Sequence, residues 1–152
     1  MKNSINGLDV VTFHPSHIEV AYLTEHEETN FERIPDAYKK VSDLASRSMQ
    51  AVTILENGKI LMMCGFVMLW KGVAEMWLLP SMYLVNAPIS SAKTIKQFIN
   101  SVFETMELHR MQAQVIDEEV HSRFMDFLGF TQDGIMPRYS DIKENYIMWS
   151  RT

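Results

Sequence analysis

Apolar and polar positions change period several times along the chain, and each change marks an element. Residues 8–13 are β-branched and apolar enough for a short strand, and Pro15 with Ser16 then punctuates a helix start near Ser16. Ile18, Ala21 and Tyr22 recur at helical spacing, and the acidic run 25–28 reads as a solvated face or an exit loop. A second helix is predicted after Pro35, with Tyr38, Val41 and Ala45 on one stripe and a stop near Arg47.

From Met49 the period becomes strand-like. Residues 51–55 run into Asn57-Gly58, a pair that tolerates the positive φ angles of a tight type I′ hairpin turn and is the strongest local signal in the chain. The returning strand, residues 60–70, is apolar at nearly every position, which predicts cover on both faces. Lys71-Gly72 turns the chain again and residues 73–79 form a third sequential strand, completing an antiparallel meander. The clearest helix follows. Ala92, Ile95, Ile99, Val102, Phe103 and Met106 repeat at three and four, Lys93, Lys96 and Gln97 face outward, and Pro88 with Ser90 or Ser91 supplies the start. Residues 110–116 alternate as a strand. Residues 118–128 make a short helix with Val120, Phe124 and Phe127 inward, closed by Gly129, and strands 130–139 and 145–151 end the chain. The order is β-α-α-β-β-β-α-β-α-β-β, with a right-handed helical crossover between the fourth and fifth predicted strands.

Composition narrows the class without naming a function. A chain of 152 residues suits one domain, 1–152, with a core of its own. A net charge of -5 with no basic stripe argues against a nucleic-acid partner. The longest apolar run, 60–70, falls short of the roughly 20 residues a membrane span needs, and no basic start followed by an apolar run appears, so neither a span nor a secretory signal is expected. The lone Cys64 lies within that run, so a buried, inert thiol is expected, in keeping with a reducing cytoplasm. The 12 methionines are scattered, which suits core filling or an adaptable protein interface better than a metal cluster. Trp70 and Trp77, on adjacent predicted strands, are expected in the core; an interface would need one of them exposed.

The element order resembles the GNAT superfamily of N-acetyltransferases over essentially the whole chain, and residues 120–130 (VHSRFMDFLGF) are similar to its helix followed by Leu-Gly-Phe. Tyr139 and residues 145–149 (NYIMW) match as well. The resemblance implies an α/β fold with a mixed, mostly antiparallel seven-stranded sheet and helices on both faces. A narrower likeness, in residues 75–81 (EMWLLPS), Pro88 and the helix carrying Lys93 and Lys96, is to a tailed-phage group that includes internal virion protein A of short-tailed phages. Some of that group are labelled acetyltransferases, and the virion protein is associated with particle morphogenesis.

In such enzymes the fourth and fifth strands splay, the pantetheine arm of acetyl-CoA pairs with backbone there, and a glycine-containing loop and helix start bind the pyrophosphate. The matching stretch here, residues 81–91 (SMYLVNAPISS), has no glycine, and Pro88 removes a donor. The tyrosine that many members place four residues before the Leu-Gly-Phe glycine is replaced by Met125, which cannot protonate a thiolate. These departures predict a degenerate acyl-CoA site, no cofactor, and a noncatalytic role with a protein partner from the virion or the host, in the cytoplasm of the infected cell or within the virion. The alternative is an acyl-CoA-dependent N-acyltransferase with an aberrant loop. It would place acetyl-CoA against Leu78, Leu79, Ser90, Ser91 and Lys93, with Glu75 or Asp117 as general base through water and Tyr139 as acid. For Glu75 and the lysines the plainer reading is surface charge.

Two weaker constellations complete the reading. His14 and His17 straddle a strand-to-helix boundary, where capping is a better account than a metal site, and no metal is expected. Cys64 beside His14 or His121 would imitate a nucleophile with its base, but its apolar run favours packing.

Overall fold

The structure, a computed structural model, describes residues 2–152, with side chains described from Ser4 onward. Its strands form one 8-stranded mixed sheet in the order β1-β2-β3-β4-β5-β6-β8-β7. The fold is α/β, as expected, with one strand more than the seven predicted. The described residues form two compact units, 2–67 with Trp77–Thr94, and Met68–Met76 with Ile95–Thr152.

The extra strand belongs to the first unit. β1 (Lys2–Ile5) folds back antiparallel on β2 (Leu8–Thr12) through Asn6 and Gly7, at φ 47° and 85°. That is the same Asn-Gly turn chemistry that joins β3 (Gln50–Glu56) to β4 (Lys59–Trp70), where Asn57 and Gly58 stand at φ 51° and 78°. β2 also pairs antiparallel with β3. Three helices, not two, separate β2 from β3: α1 (Ser16–Val20), α2 (Glu25–Arg33) and α3 (Ala37–Arg47). The acidic run read as a solvated face or loop is the start of α2, which has no buried residue and so leaves no apolar period in the sequence.

The core of this unit gathers Phe13, Ile18, Leu23, Ile60, Met63 and Leu79, with Phe31, Val41 and Trp77 packed partly against it. Gly65 is required within it, because a Cβ there would stand 2.3 Å from the Trp77 indole nitrogen. Trp77 Nε1 donates to Ser48 Oγ at 2.9 Å, which fixes the ring that excludes a larger residue. Cys64 is buried, and burial pushes its thiol up to about 12, so it packs as a small hydrophobe.

In the second unit, the first residues of β5 (Val73–Pro80) pair in parallel with β6 (Arg110–Ile116), and β6 pairs antiparallel with β8 (Tyr146–Arg151), which pairs with β7 (Thr131–Met136). α5 (Ile89–Thr105) precedes β6 in the chain, and its Ile95, Ile99 and Val102 are buried, as its period predicts. α6 (Glu119–Phe127) ends at Gly129, whose φ of 90° only glycine adopts freely. Met111, Met125, Leu128 and Trp149 are almost fully buried, and each such side chain contributes about 1.5–3 kcal/mol through apolar burial.

Three expectations fail in this half. Val120 is exposed, not inward, because it falls in the first turn of α6 before the buried stripe begins. Trp70 is 66% exposed, since β4 runs beyond its covered stretch at its last residues. β7 stops at Met136, which leaves Tyr139 in the connection to β8 and not in a strand. Among the described residues no helix is long and apolar enough to cross a membrane.

Candidate functional site

The stretch predicted to carry an anion loop begins at Ser81, immediately after β5. Its buried hydroxyl donates to the Ile60 carbonyl at 2.6 Å and accepts from the Leu84 N–H at 3.4 Å, capping a helical turn, α4 (Met82–Val85). Leu23 forms an antiparallel bridge with Ser81, and the Met82 N–H donates to the Tyr22 carbonyl at 2.7 Å. Backbone donors that a glycine loop would turn toward phosphate are spent inside the turn. Leu84 and Val85 donate to the Ser81 carbonyl, Asn86 to that of Met82, and Ala87 to that of Leu84.

α5 then opens with Ser90 exposed and Ser91 buried. The Ser91 N–H donates to the Pro88 carbonyl at 3.0 Å, and the Ser91 hydroxyl donates to Glu56 Oε2 at 2.9 Å. No acidic residue lies in the first turn of α5 itself, so Glu56, at the end of β3, brings the negative charge that a helix N-terminus favours. A second anion brought to this turn would meet that carboxylate and be repelled by it. Lys93 is exposed, and the Lys96 ammonium lies 5.5 Å over the Phe127 ring. Leu79 is buried and Leu78 half-buried, both beyond the β5–β6 ladder, which spans Val73↔Arg110 to Glu75↔Gln112.

The three candidate acid–base residues lie in the second unit, with Glu75 at one end of β6 and Asp117 and Tyr139 at the other. Glu75 is half-buried and accepts hydrogen bonds from the side-chain amides of Gln114 and, at 3.5 Å, Gln112. Asp117 is exposed beyond the other end of β6, about 16 Å along the strand from Gln112, the cross-strand partner of Glu75. Tyr139 shares the Asp117 end: the Asp117 N–H donates to the Asn145 carbonyl, and the Tyr139 ring lies 5.1 Å from that of Tyr146, tilted by 50°, and Tyr146 pairs with Ile116. Tyr139 is 53% exposed. Met125, at the position of the missing family tyrosine, is fully buried.

His14 and His17 are engaged with their neighbours. His14 Nδ1 lies 2.7 Å from Ser16 Oγ, and His17 Nδ1 lies 2.7 Å from Thr53 Oγ1. Burial, then the nearby His14, lowers the pKa of His17. Among the described residues no three His, Cys, Asp or Glu side chains are grouped as a metal site would need.

Glu56 is the residue that sequence reasoning missed. Its contact with Ser91 spans 35 positions, and nothing local distinguishes it from any other strand-end carboxylate before a turn.

The fold is similar to that of solved GNAT-family acetyltransferases. The chain superposes on a GNAT-family acetyltransferase from Bacillus anthracis with a TM-score of 0.69 and 13% identity, covering 99% of this chain and 98% of that one. Ard1 from Thermoplasma volcanium gives 0.75 at 15% identity, over 95% of this chain and 97% of the other. The microcin C7 self-immunity acetyltransferase MccE, solved with acetyl-CoA and AMP, gives 0.68 at 13% identity, over 97% and 93%. At these identities the likeness defines the fold. No protein-family profile matches the sequence, and no characterised protein matches it by sequence.

Proposed function

We propose that this chain uses the acetyltransferase fold without acyl transfer and acts by binding another protein. The observation that carries the reading is the Glu56 carboxylate held on the Ser91 hydroxyl at the start of α5, where the fold family receives the cofactor pyrophosphate. The closed turn α4 supports it, because the backbone N–H groups of Leu84, Val85, Asn86 and Ala87 already have partners inside the turn. The residues present do not fit the pyrophosphate, and no catalytic step is derived through acetyl-CoA. The exposed Trp70 meets the condition set by the sequence for an interaction surface. The finer assignment, virion morphogenesis with a virion or host partner in an infected cell, rests on the likeness of residues 75–81, Pro88, Lys93 and Lys96 to the phage group.

A second reading has one observation in its favour. The β5–β6 ladder ends at Glu75, so Leu78 and Leu79 lie beyond the paired stretch, as a pantetheine-binding strand would require. On that reading Glu75 or Asp117 acts as base and Tyr139 as acid. Thiol release from acetyl-CoA, followed in the presence of a panel of primary amines and free amino termini, separates the two. The proposal expects release at the uncatalysed rate with every amine. Enzyme-dependent release that Ser91→Asp abolishes would overturn it.

A further inference from the structure

Within the first unit, the segment His14-Pro15-Ser16-His17 joins β2 to α1 through its own imidazoles. The Ser16 N–H donates to His14 Nδ1 at 3.1 Å, and the His14 N–H donates to His17 Nδ1 at 3.2 Å. Each ring thus takes a backbone donor at the entry to α1, where no helical carbonyl is available to it. A hydroxyl shares each acceptor: Ser16 Oγ lies 2.7 Å from His14 Nδ1, and Thr53 Oγ1 lies 2.7 Å from His17 Nδ1. Thr53 is fully buried on β3, so His17 ties α1 to the sheet.

An N–H donates to Nδ1 only when that nitrogen carries no proton, so both rings are held as neutral imidazoles with their hydrogen on Nε2. A further proton places an N–H on Nδ1, facing another N–H. The hydroxyls of Ser16 and Thr53 turn and accept, but the Ser16 and His14 amides lose their acceptors. The two ring centroids are 6.2 Å apart, so a pair of imidazolium charges also repels. Among carboxylates on the elements that touch His17, Asp9 on β2 accepts from the Ser4 hydroxyl, Glu56 on β3 accepts from Ser91, and Glu19 on α1 is exposed. Burial and then His14 lower the pKa of His17 from 6.5, so its contribution to stability is present at neutral pH and is lost as pH falls below that value.

We propose that His14 and His17 form an acid-released latch, which fixes the start of α1 on β3 at neutral pH and frees it on protonation. Beyond α1, the Tyr22 carbonyl accepts from the Met82 N–H and Leu23 bridges Ser81, so release of α1 loosens the segment that holds the turn α4. The latch operates whether or not the fold transfers an acyl group.

Long-range proton–nitrogen NMR of the histidine rings in the full chain reads the tautomers, and amide exchange expressed as protection factors reads the release. At about pH 7.5 both Nδ1 atoms should carry no proton. By about pH 5 the Ser16, Ile18 and Ala21 amides should lose at least about tenfold in protection, the factor that one pH unit of linkage supplies. The double variant His14→Asn/His17→Asn keeps an acceptor oxygen near each Nδ1 position and does not titrate, so its protection should change by less than about twofold over the same range. Glu27 is common to both proteins, so the comparison removes its opposite response to acid. A proton on either Nδ1 at neutral pH, unchanged protection in the wild type, or an equal loss in the double variant would each overturn the proposal, and the first two need no variant.

Discussion

Replacing Glu27 by Gln should stabilise the protein above about pH 4.5, with the full gain reached above about pH 7. Glu27 lies in the first turn of α2, half-buried, with no hydrogen bond or ion pair among the described residues, and desolvation raises its carboxyl from 4.5 to about 7. Between those values the folded chain keeps a proton that the unfolded chain has released, so stability falls as pH rises through the window. The full difference corresponds to about 3 kcal/mol, and partial exposure reduces this to about 1–3 kcal/mol. An opposing effect is smaller: a carboxylate near a helix N-terminus gains about 0.3–1 kcal/mol from the macrodipole, and Glu25 and Glu28 supply the same turn after Glu27 is neutralised. Desolvation therefore wins. Thermal melts of wild type and Glu27→Gln should coincide near pH 4 and separate near pH 8, the variant melting roughly 3–10 °C higher. Equal separation at both pH values, or a more stable wild type at the higher one, would refute the assignment of a desolvated carboxyl.

Three further outcomes follow from the packing and the ion pairs. Gly65→Ala would drive a methyl to within 2.5 Å of three Trp77 ring atoms, so urea unfolding should show a loss of about 1–3 kcal/mol and indole fluorescence should shift. Met125→Ala empties a fully buried position and should cost about 2–5 kcal/mol by the same assay; a much smaller loss would show that the site collapses freely. The Arg110 guanidinium, through its hydrogen bond, and then Ser150 hold the Asp133 carboxyl below its ordinary 3.8. Such a depressed group favours the folded state above its unfolded value, and that contribution is lost as pH falls. Arg110→Ala should move the Asp133 carboxyl back toward the ordinary range in an NMR titration.

Elements built on a strong local period were legible from the sequence. Asn57-Gly58 announced its hairpin, and the stripe from Ala92 to Met106 announced α5. The same dipeptide at Asn6-Gly7 went unread because β1 is only four residues long, too short for an apolar alternation to register. α2 left no period because it buries nothing, although Thr24 and Glu27 have the spacing of a capping box; no such side-chain cap is made, which leaves the Thr24 hydroxyl buried without a partner. The missing loop glycine and Met125 were visible as departures from a pattern. What replaces the loop was not visible, since the Ser81 cap, the bridge from Leu23 and the Glu56–Ser91 bond are contacts between distant segments.

On the proposed function, the Glu56 carboxylate held by the Ser91 hydroxyl stands in for an anionic ligand at the start of α5. Calorimetric titration with acetyl-CoA, wild type beside Glu56→Gln, tests it most directly. No saturable heat is expected for the wild type up to millimolar ligand, and measurable binding once the charge at Glu56 is removed. Micromolar binding by the wild type, unchanged in Glu56→Gln, would contradict it.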